Sequence, residues 1–438
     1  MDYHILLMLG TFFALLIAGF PVAVAIATAG FVFGFMGLEG KLFSLIPHRI
    51  YGVMTKYEFV AIPLFVFMGV ALEKSRIAED LLTVIGLAMG GLRGGLGIAI
   101  VLCGVILGAA TGIVGATIVT LTLLTLPVLL SRGYSKSLSC GLICASGTLG
   151  QIIPPSLVLI LMADIVGLSV GTLFAAAVVP GMLLAVLFVG YLLLLAVINP
   201  TAVPAINAAE RAETSPMQLI KKLFLVVVPP AVLVVFVLGS IIGGVAAPTE
   251  AASIGAAGAL VIAAIYGRLN YELVRAATKT TLIISSMIFF ILLASQVFSL
   301  AFRGLGGEHF VKGLFDGVPG ELTGAILFLL LIIFVLGFFM EWIEISYIAL
   351  PIMLPFFYAQ GVDMVWLSML IAVILQTSFL TPPFGWSLFF LQGVAPKEIE
   401  MWDVYKGVIP FILIQLLVVA LVFMFDELVL WLPRVIGW

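Results

Sequence analysis

Long apolar runs, separated by short polar stretches, follow one another along almost the whole chain. Proline pairs interrupt two of these runs, within residues 145–156 (ASGTLGQIIPPS) and 375–385 (LQTSFLTPPFG). Proline removes a backbone donor and clashes with the preceding turn, so we expect a helix break at each pair. A break inside a bilayer is tolerated only where the released backbone groups are buried in protein or line a wet cavity. Two such segments in corresponding halves are typical of the central site of a secondary transporter.

The composition is that of a membrane protein. Of the 438 residues, 63% are hydrophobic and only 9% are charged, whereas a soluble domain carries roughly a quarter charged residues. At about 20 apolar residues per crossing, we expect an all-α polytopic protein with about ten to twelve passes, re-entrant ones included. The net charge of −3 is too small and too dispersed to suggest a nucleic-acid partner. The three cysteines lie within apolar runs and are interpreted as buried thiols.

The order of the interruptions predicts two related halves, residues 1–198 and 219–438, joined by a polar connector at 199–218. In each half, an overlong apolar run with a small or polar centre precedes the proline-broken segment. We interpret the overlong run as a re-entrant helical hairpin and the second segment as a broken helix. The predicted hairpins are residues 96–131 and 322–358, and the predicted broken helices are residues 136–169 and 364–393.

Charge at the hairpin bases predicts that the two repeats are inverted. The base of the first hairpin is basic, and that of the second is mainly acidic. Because loops with an excess of lysine and arginine stay on the cytoplasmic side, the first hairpin is predicted to enter from the cytoplasm and the second from outside. The residues concerned are Arg93, Arg132 and Lys136 at the first base, and Asp316, Glu321, Asp363 and Lys312 at the second.

Hairpin tips and broken helices that converge from opposite faces would bring half-helix ends together near mid-membrane. N-terminal ends offer free amides and suit a carboxylate. C-terminal ends offer carbonyl oxygens, here expected at about residues 149–151 and 378–380, and these suit a hard cation such as Na⁺. Thr381 followed by Pro382 is interpreted as an N-cap with proline at the first helical position.

Each of these features also has a purely structural interpretation. The proline pairs could be packing kinks, and the Gly- and Thr-rich stretch 108–117 could serve close helix packing. Glu341 and Glu344 lie in an apolar setting, where ionisable side chains are functional candidates, but they could equally be hydrated at a wet tip. Gln151 and Gln376 precede the breaks and could bind substrate or satisfy the broken backbone.

An enzymatic function is not expected. The chain has no GxxxxGK[ST] phosphate loop and no HExxH motif. A polytopic membrane enzyme would need a constellation of His, Cys or acidic residues at one membrane face, and the sequence offers none. We also expect no organic cofactor.

Several motifs together resemble the large membrane subunit, of the DctM type, of the tripartite ATP-independent periplasmic (TRAP) transporters. They are the GTLGQIIPPS run within residues 130–160, GGVAAPTEAASIGA at 243–256 and LQTSFLTPPFGWSLFFLQGVAP at 375–396. TGIVGAT at 111–117, FRGLGG at 302–307 and EWIEIS at 341–346 are similar to a branch often labelled mannitol/chloroaromatic. The resemblance extends over nearly the whole chain.

The resemblance implies a permease of the bacterial inner membrane that works by an elevator mechanism, in which the hairpins and broken helices slide against a scaffold of the remaining helices. It implies coupling to Na⁺, a separate small four-helix membrane subunit (DctQ type) and a periplasmic binding protein. The delivered substrate would be an organic acid, with 2-oxo or 2-hydroxy carboxylates plausible. A self-sufficient ion-coupled carboxylate carrier without a binding protein is the alternative.

By position, the resemblance places one ion region at the first tip and first break, and the other at the second tip and second break. Na⁺ would be held by backbone carbonyls near Gly112, Gly150, Gly337 and Ser378. The candidate substrate- and ion-binding residues are Thr111, Gly112, Gly115, Thr117, Gly147, Thr148, Gln151, Pro154, Pro155, Ser156, Gly337, Glu341, Glu344, Gln376, Thr377, Ser378, Thr381, Pro382 and Pro383.

Overall fold

The structure is a computed structural model that describes residues 2–38, 41–205 and 216–438. Within these ranges the chain is helical and contains no strand, so the prediction of an all-α polytopic membrane protein is confirmed. Half of the predicted polar connector, residues 206–215, lies outside the described residues. The three cysteines are buried and free, as predicted.

The helices of the first half run from the N-terminus to the start of the connector. They are α1 (Asp2–Ile17), α2 (Val22–Leu38), α3 (Lys41–Met54), α4 (Ala61–Lys74), α5 (Ile77–Met89), α6 (Gly95–Thr111), α7 (Val114–Ser131), α8 (Lys136–Thr148), α9 (Leu157–Val166) and α10 (Val170–Ile198).

The helices of the second half follow the connector. They are α11 (Pro216–Ile242), α12 (Pro248–Ile265), α13 (Tyr271–Gly304), α14 (Gly307–Asp316), α15 (Glu321–Leu336), α16 (Trp342–Ala359), α17 (Met364–Leu380), α18 (Trp386–Gln392), α19 (Met401–Met424) and α20 (Glu427–Val435). The predicted hairpin at 96–131 corresponds to α6 and α7, and that at 322–358 to α15 and α16.

Seven helices of the described part are long and apolar enough to cross a membrane, and two bent pairs would raise the number to nine. The remaining apolar helices are shorter, and α6, α9 and α17 are among them. Short apolar helices joined by breaks fit re-entrant hairpins and broken helices. The second arm of each predicted hairpin, α7 or α16, is nevertheless among the seven longer helices.

Four helices outside the hairpins and breaks, α2, α4, α12 and α13, form one packing group. In it, α2 and α4 lie along the long helix α13, and α12 lies along α4. Helices α2 and α13 approach closely at Gly30, where an added methyl group would lie only 2.8 Å from the backbone nitrogen of Phe298. Helix α12 begins as its sequence predicts, with Pro248 at its first position and Glu250 accepting a hydrogen bond of 2.9 Å from the amide of Ala247.

The hairpins and broken helices form a second packing group. In it, α8 is surrounded by α6, α7 and α19, while α17 lies against α15 and α19. The contact between α8 and α19 is made by backbone, since a methyl group at Gly141 would lie 1.9 Å from the carbonyl oxygen of Gly407. Helix α19 therefore packs as part of the group that contains both breaks.

Candidate functional site

The first hairpin turns back on itself in two residues. Gly112 ends α6 with φ of +60°, and its amide donates to the carbonyl of Gly108 at 2.8 Å. Ile113 is extended, and α7 begins at Val114. A positive φ favours glycine, which explains this residue at the turn. The side chain of Thr111, a predicted ligand, lies outside the described residues.

The first break separates α8 from α9. After Thr148 the chain makes one 3₁₀ turn, passes through a cis bond between Pro154 and Pro155, and re-enters a helix after Ser156. The hydroxyl of Ser156 donates to the carbonyl of Gln151 across the break. Ser156 therefore satisfies a backbone carbonyl that the break would otherwise leave in the protein interior.

Glycines bring the first hairpin into direct contact with the first break. A methyl group at Gly108 would lie 2.6 Å from the Cα atom of Gly150. One at Gly104 would lie 2.5 Å from the carbonyl oxygen of Ser146, and one at Gly147 would lie 2.3 Å from Cγ1 of Ile118. These approaches place the tip directly beside the break, and within residues 108–117 the contact of Gly108 is one of close helix packing.

The second hairpin tip is built with side chains as well as backbone. Helix α15 ends at Leu336, and a methyl group at Gly337 would lie 2.0 Å from the hydroxyl oxygen of Ser378 in α17. The buried carboxylate of Glu344 accepts a hydrogen bond of 2.8 Å from the amide of Glu341 and so closes the start of α16. The next turn, residues 345–349, is π-helical, a local form common at functional sites.

The second break follows α17 and differs from the expectation at Thr381. Thr381 does not cap the following helix; its hydroxyl and amide donate to the carbonyls of Thr377 and Ser378, so it ends α17. Residues 382–384 form a turn that contains a cis bond between its two prolines, and Gly385 precedes α18. The turn is too short for Pro382 to begin a helix, which is why that interpretation is wrong.

Several backbone carbonyls that were expected to be free already accept hydrogen bonds. Leu149 accepts from two amides, and Gln151 accepts from Ser156. In the second break Ser378 accepts from Thr381, and Phe379 accepts from the hydroxyl of Ser387. A carbonyl oxygen has two lone pairs, so such a bond does not by itself prevent coordination of a cation.

A buried polar junction links the two breaks. The hydroxyl of Thr148 donates to the carbonyl of Ala145 at 2.8 Å. Its oxygen accepts from the amide nitrogens of Gln376 at 3.3 Å and Gln415 at 3.4 Å. All three side chains are fully buried. Gln376 was predicted either to bind substrate or to satisfy the broken backbone. In the structure its amide contacts the side chain of Thr148, the residue that ends α8.

A cavity of about 370 Å³ lies between the two tips. The first tip contributes Gly112 and Gly115, and the second contributes Glu341 and Trp342. Apolar residues of α13 close one side, and Glu73 at the end of α4 lines it as well. No lysine or arginine is among the described residues that line this cavity.

The predicted residues therefore separate into distinct groups. Gly112, Gly115 and Glu341 line the cavity. The others that the structure describes pack the tips or complete the breaks, except Pro383, which is exposed. The second group comprises Thr117, Gly147, Thr148, Gln151, Pro154, Pro155, Ser156, Gly337, Glu344, Gln376, Thr377, Ser378, Thr381 and Pro382.

Several residues of this region were not predicted from the sequence, and four of them have polar or aromatic side chains of interest. Glu73 and Phe390 line the cavity, and Ser387 and Gln415 bond to the breaks. Gln415 had a detectable signal, because it is the only polar residue between Val408 and Met424, and a polar side chain inside a membrane span is a candidate for a specific role. The others carried no local signal, since only folding brings them to the site.

Comparison with known proteins fits this architecture. The model of a family described as "Tripartite ATP-independent periplasmic transporter, DctM component" matches residues 9–428. The chain belongs to this family. TRAP permeases are multi-pass proteins of the bacterial inner membrane, and that location applies here.

Curated relatives match this TRAP permease over almost its full length. The ectoine/5-hydroxyectoine TRAP transporter large permease protein UehC of Ruegeria pomeroyi is 30% identical and covers 96% of this chain and 97% of its own. The ectoine permease TeaC of Halomonas elongata is 29% identical, with 97% and 98% covered. The C4-dicarboxylate permease DctM of Vibrio cholerae is 27% identical, with 96% of both covered.

A solved structure shares the fold of this TRAP permease. The YdaH transporter of Alcanivorax borkumensis superimposes with a TM-score of 0.61 over 91% of this chain and 89% of its own, at 16% identity. At that identity the likeness concerns the fold alone. The overall fold thus also occurs in a chain of very different sequence.

Proposed function

We propose that this TRAP permease imports an organic acid by symport with Na⁺, after a periplasmic binding protein delivers the substrate. It works with a small membrane subunit of the DctQ type. The observation that carries the proposal is the cavity between the two tips, because it is bounded by both hairpins and by helices of the other packing group. A site in this place can be opened to one side or the other as the groups slide past each other.

The elevator mechanism is supported by the two packing groups. The contacts within the group of hairpins and breaks include backbone approaches, such as that between Gly141 and Gly407. This group can therefore move as a unit. Its boundary with the other group at the cavity is formed largely by apolar side chains, including Ile284 and Ile288, and apolar surfaces slide without breaking directional bonds.

Sodium coupling is supported by the backbone carbonyls at the breaks and tips, since a carbonyl that accepts one hydrogen bond keeps a second lone pair for a cation. The carbonyls near Gly112, Gly150, Gly337 and Ser378 are the candidate ligands, since Na⁺ is a hard cation that prefers oxygen. Glu341 lies beside the cavity and would favour a cation by its charge. No organic cofactor is part of the proposal.

The substrate class rests on the relatives and on the amides of the tips. The relatives carry ectoine or C4-dicarboxylates by name, and each of these compounds contains a carboxylate. The helices α7 and α16 begin at the cavity, where their amides suit such a group. The similarity to the branch labelled mannitol/chloroaromatic extends the substrate range to 2-oxo and 2-hydroxy acids.

The proposal is tested by uptake of radiolabelled pyruvate into proteoliposomes that contain this subunit and its small partner. An inward Na⁺ gradient and the binding protein are each supplied or omitted, and a C4-dicarboxylate and ectoine are tested in parallel. We expect uptake only when the Na⁺ gradient and the binding protein are both present. Uptake without the binding protein would establish a self-sufficient carrier instead, and uptake independent of Na⁺ would contradict the symport.

A further inference from the structure

Helix α19 reaches both breaks with polar side chains. Near its start, the hydroxyl of Tyr405 donates to the carbonyl of Pro383 in the second break at 3.1 Å. Further along, Gln415 donates to the hydroxyl of Thr148, the last residue of α8 before the first break. Among the hydrogen bonds of the described residues, no other helix has side chains that bond to both breaks.

The bond from Gln415 converges with a second one on a single atom. Gln376, which precedes the second break, donates its amide nitrogen to the same oxygen of Thr148. Thr148 thus accepts two hydrogen bonds and donates one, which uses the full capacity of a hydroxyl group. Because all three side chains are fully buried, solvent does not compete for these bonds.

Both glutamines also keep an unpartnered amide oxygen in the interior. Oε1 of Gln376 and Oε1 of Gln415 are buried and accept no hydrogen bond from the described residues. Retaining such oxygens is costly, and an apolar residue of the same size would avoid the cost. The presence of glutamine at 415 is therefore not explained by packing of α19 alone.

We propose that Gln415 is a positioning residue for the ion region at the first break. By holding Thr148 against Gln376, it fixes the end of α8, and with it the carbonyls of residues 149–151, relative to the second break. The carbonyl geometry at the ends of α8 and α17 is then set jointly by three helices. This inference rests on the proposed Na⁺ coupling, because it concerns the geometry of the site that would bind the ion.

Its test measures sodium binding without requiring a known substrate. A ligand that binds only the folded state stabilises it by RT ln(1 + [L]/Kd), so the rise of the melting temperature with ligand concentration reports the apparent Kd. The melting temperature of the purified complex with its small subunit is therefore followed against NaCl, with choline chloride as the reference salt. We expect Gln415→Met, which keeps the volume but lacks the amide, to raise the half-saturating Na⁺ concentration about fivefold to tenfold, the range expected for one buried hydrogen bond.

A matched control removes a different hydrogen bond to the same helix. The indole of Trp366 in α17 donates to the carbonyl of Val422 in α19 at 2.8 Å. Trp366→Phe should lower the melting temperature but leave the half-saturating Na⁺ concentration unchanged. If both variants shift sodium binding equally, Gln415 is only a stabilising contact and the proposal is wrong.

A double variant decides whether Gln415 acts through Thr148. Thr148→Val combined with Gln415→Met should bind sodium no more weakly than Thr148→Val alone, because the second change removes a bond that is already lost. Additive losses would overturn the proposal. If Gln415→Met does not fold, Gln415→Asn, whose amide is one methylene shorter, carries the same expectation.

The wild-type measurement separates this inference from the proposed function. A wild-type complex that is not stabilised by Na⁺ more than by choline contradicts sodium coupling, and the positioning role falls with it. A wild-type complex that responds to Na⁺, together with an unchanged Gln415→Met, contradicts the positioning role alone.

Discussion

The two hairpin tips meet the two helix breaks by different means, although each does so at a glycine. At the first tip, Gly108 faces the backbone of Gly150. At the second, Gly337 faces the side chain of Ser378. A backbone contact leaves no atom that can move aside, whereas a serine side chain can be shortened or rotated. The first contact therefore tolerates no added atom, and the second depends on one particular pair of residues.

The tips also differ in how their turns are completed. The first tip uses a glycine with positive φ and the backbone bond from Gly112 to Gly108. The second uses a carboxylate, since Glu344 accepts from the amide of Glu341. The same architectural step, a helix that turns back beside a break, is thus reached once through backbone fit and once through side-chain chemistry. Only the second route leaves residues whose charge can be tuned.

The largest effect is expected at the backbone contact. In Gly108→Val, the new Cβ atom would lie 2.6 Å from the Cα atom of Gly150, and valine carries two further methyl groups on that atom. We expect destabilisation of about 3 kcal/mol or more, because overpacking of a close contact forces the backbone to move. Uptake in proteoliposomes should fall to background, and the melting temperature should drop. Gly190→Ala is the control, since a methyl group there meets nothing within 4 Å; equal losses would contradict the expectation.

A smaller and reversible effect is expected at the side-chain contact. Gly337→Ala brings its methyl group to 2.0 Å from the hydroxyl oxygen of Ser378, which should cost about 1–3 kcal/mol. Adding Ser378→Gly removes the clashing atoms, so the double variant should regain part of the lost uptake. The corresponding rescue is impossible at the first tip, because Gly150 has no side chain to remove. Failure of the rescue would show that the two contacts are equivalent.

The smallest effect is expected from neutralising the two acids of the second tip, and it should differ between them. Glu341→Gln removes a charge beside the cavity and should raise the Na⁺ concentration for half-maximal uptake about tenfold, equivalent to about 1.4 kcal/mol. Glu344→Gln keeps an oxygen that can accept from the amide of Glu341, so uptake should persist with a loss of about 1 kcal/mol in stability. Normal uptake by Glu341→Gln at every sodium concentration would remove Glu341 from the ion region.

The fold was predictable to a large extent because its breaks have strong local causes. Proline pairs, small-residue tips and long apolar runs act within a few residues of the features they produce, so the ends of the helices around the tips and breaks lie close to the segment bounds predicted from the sequence. Thr381 shows the limit of this reasoning. A threonine before proline matches a helix start in the sequence, but in the structure its hydrogen bonds to Thr377 and Ser378 compete successfully and end α17.

The site was less predictable because its contacts join distant parts of the chain. The sequence shows two acids in one motif, but it does not reveal that Glu344 caps the start of α16 while Glu341 lines the cavity. The arrival of Glu73 from α4 and of Gln415 from α19 depends on helix packing. The inverted orientation of the two repeats and the identity of the ion ligands stay predictions.

The charges around the cavity bear on how tightly substrate and ion movement are linked. Glu73 and Glu341 line it, and the described lining residues include no cationic side chain. Glu73 is paired with Lys74 at 3.3 Å, so Glu341 is the carboxylate that would chiefly repel an anion entering this space, and a cation at the anion's side would offset that repulsion. Substrate and cations would then occupy the cavity as a nearly electroneutral set. Under the proposed sodium symport, this charge distribution would disfavour movement of the substrate without the ion.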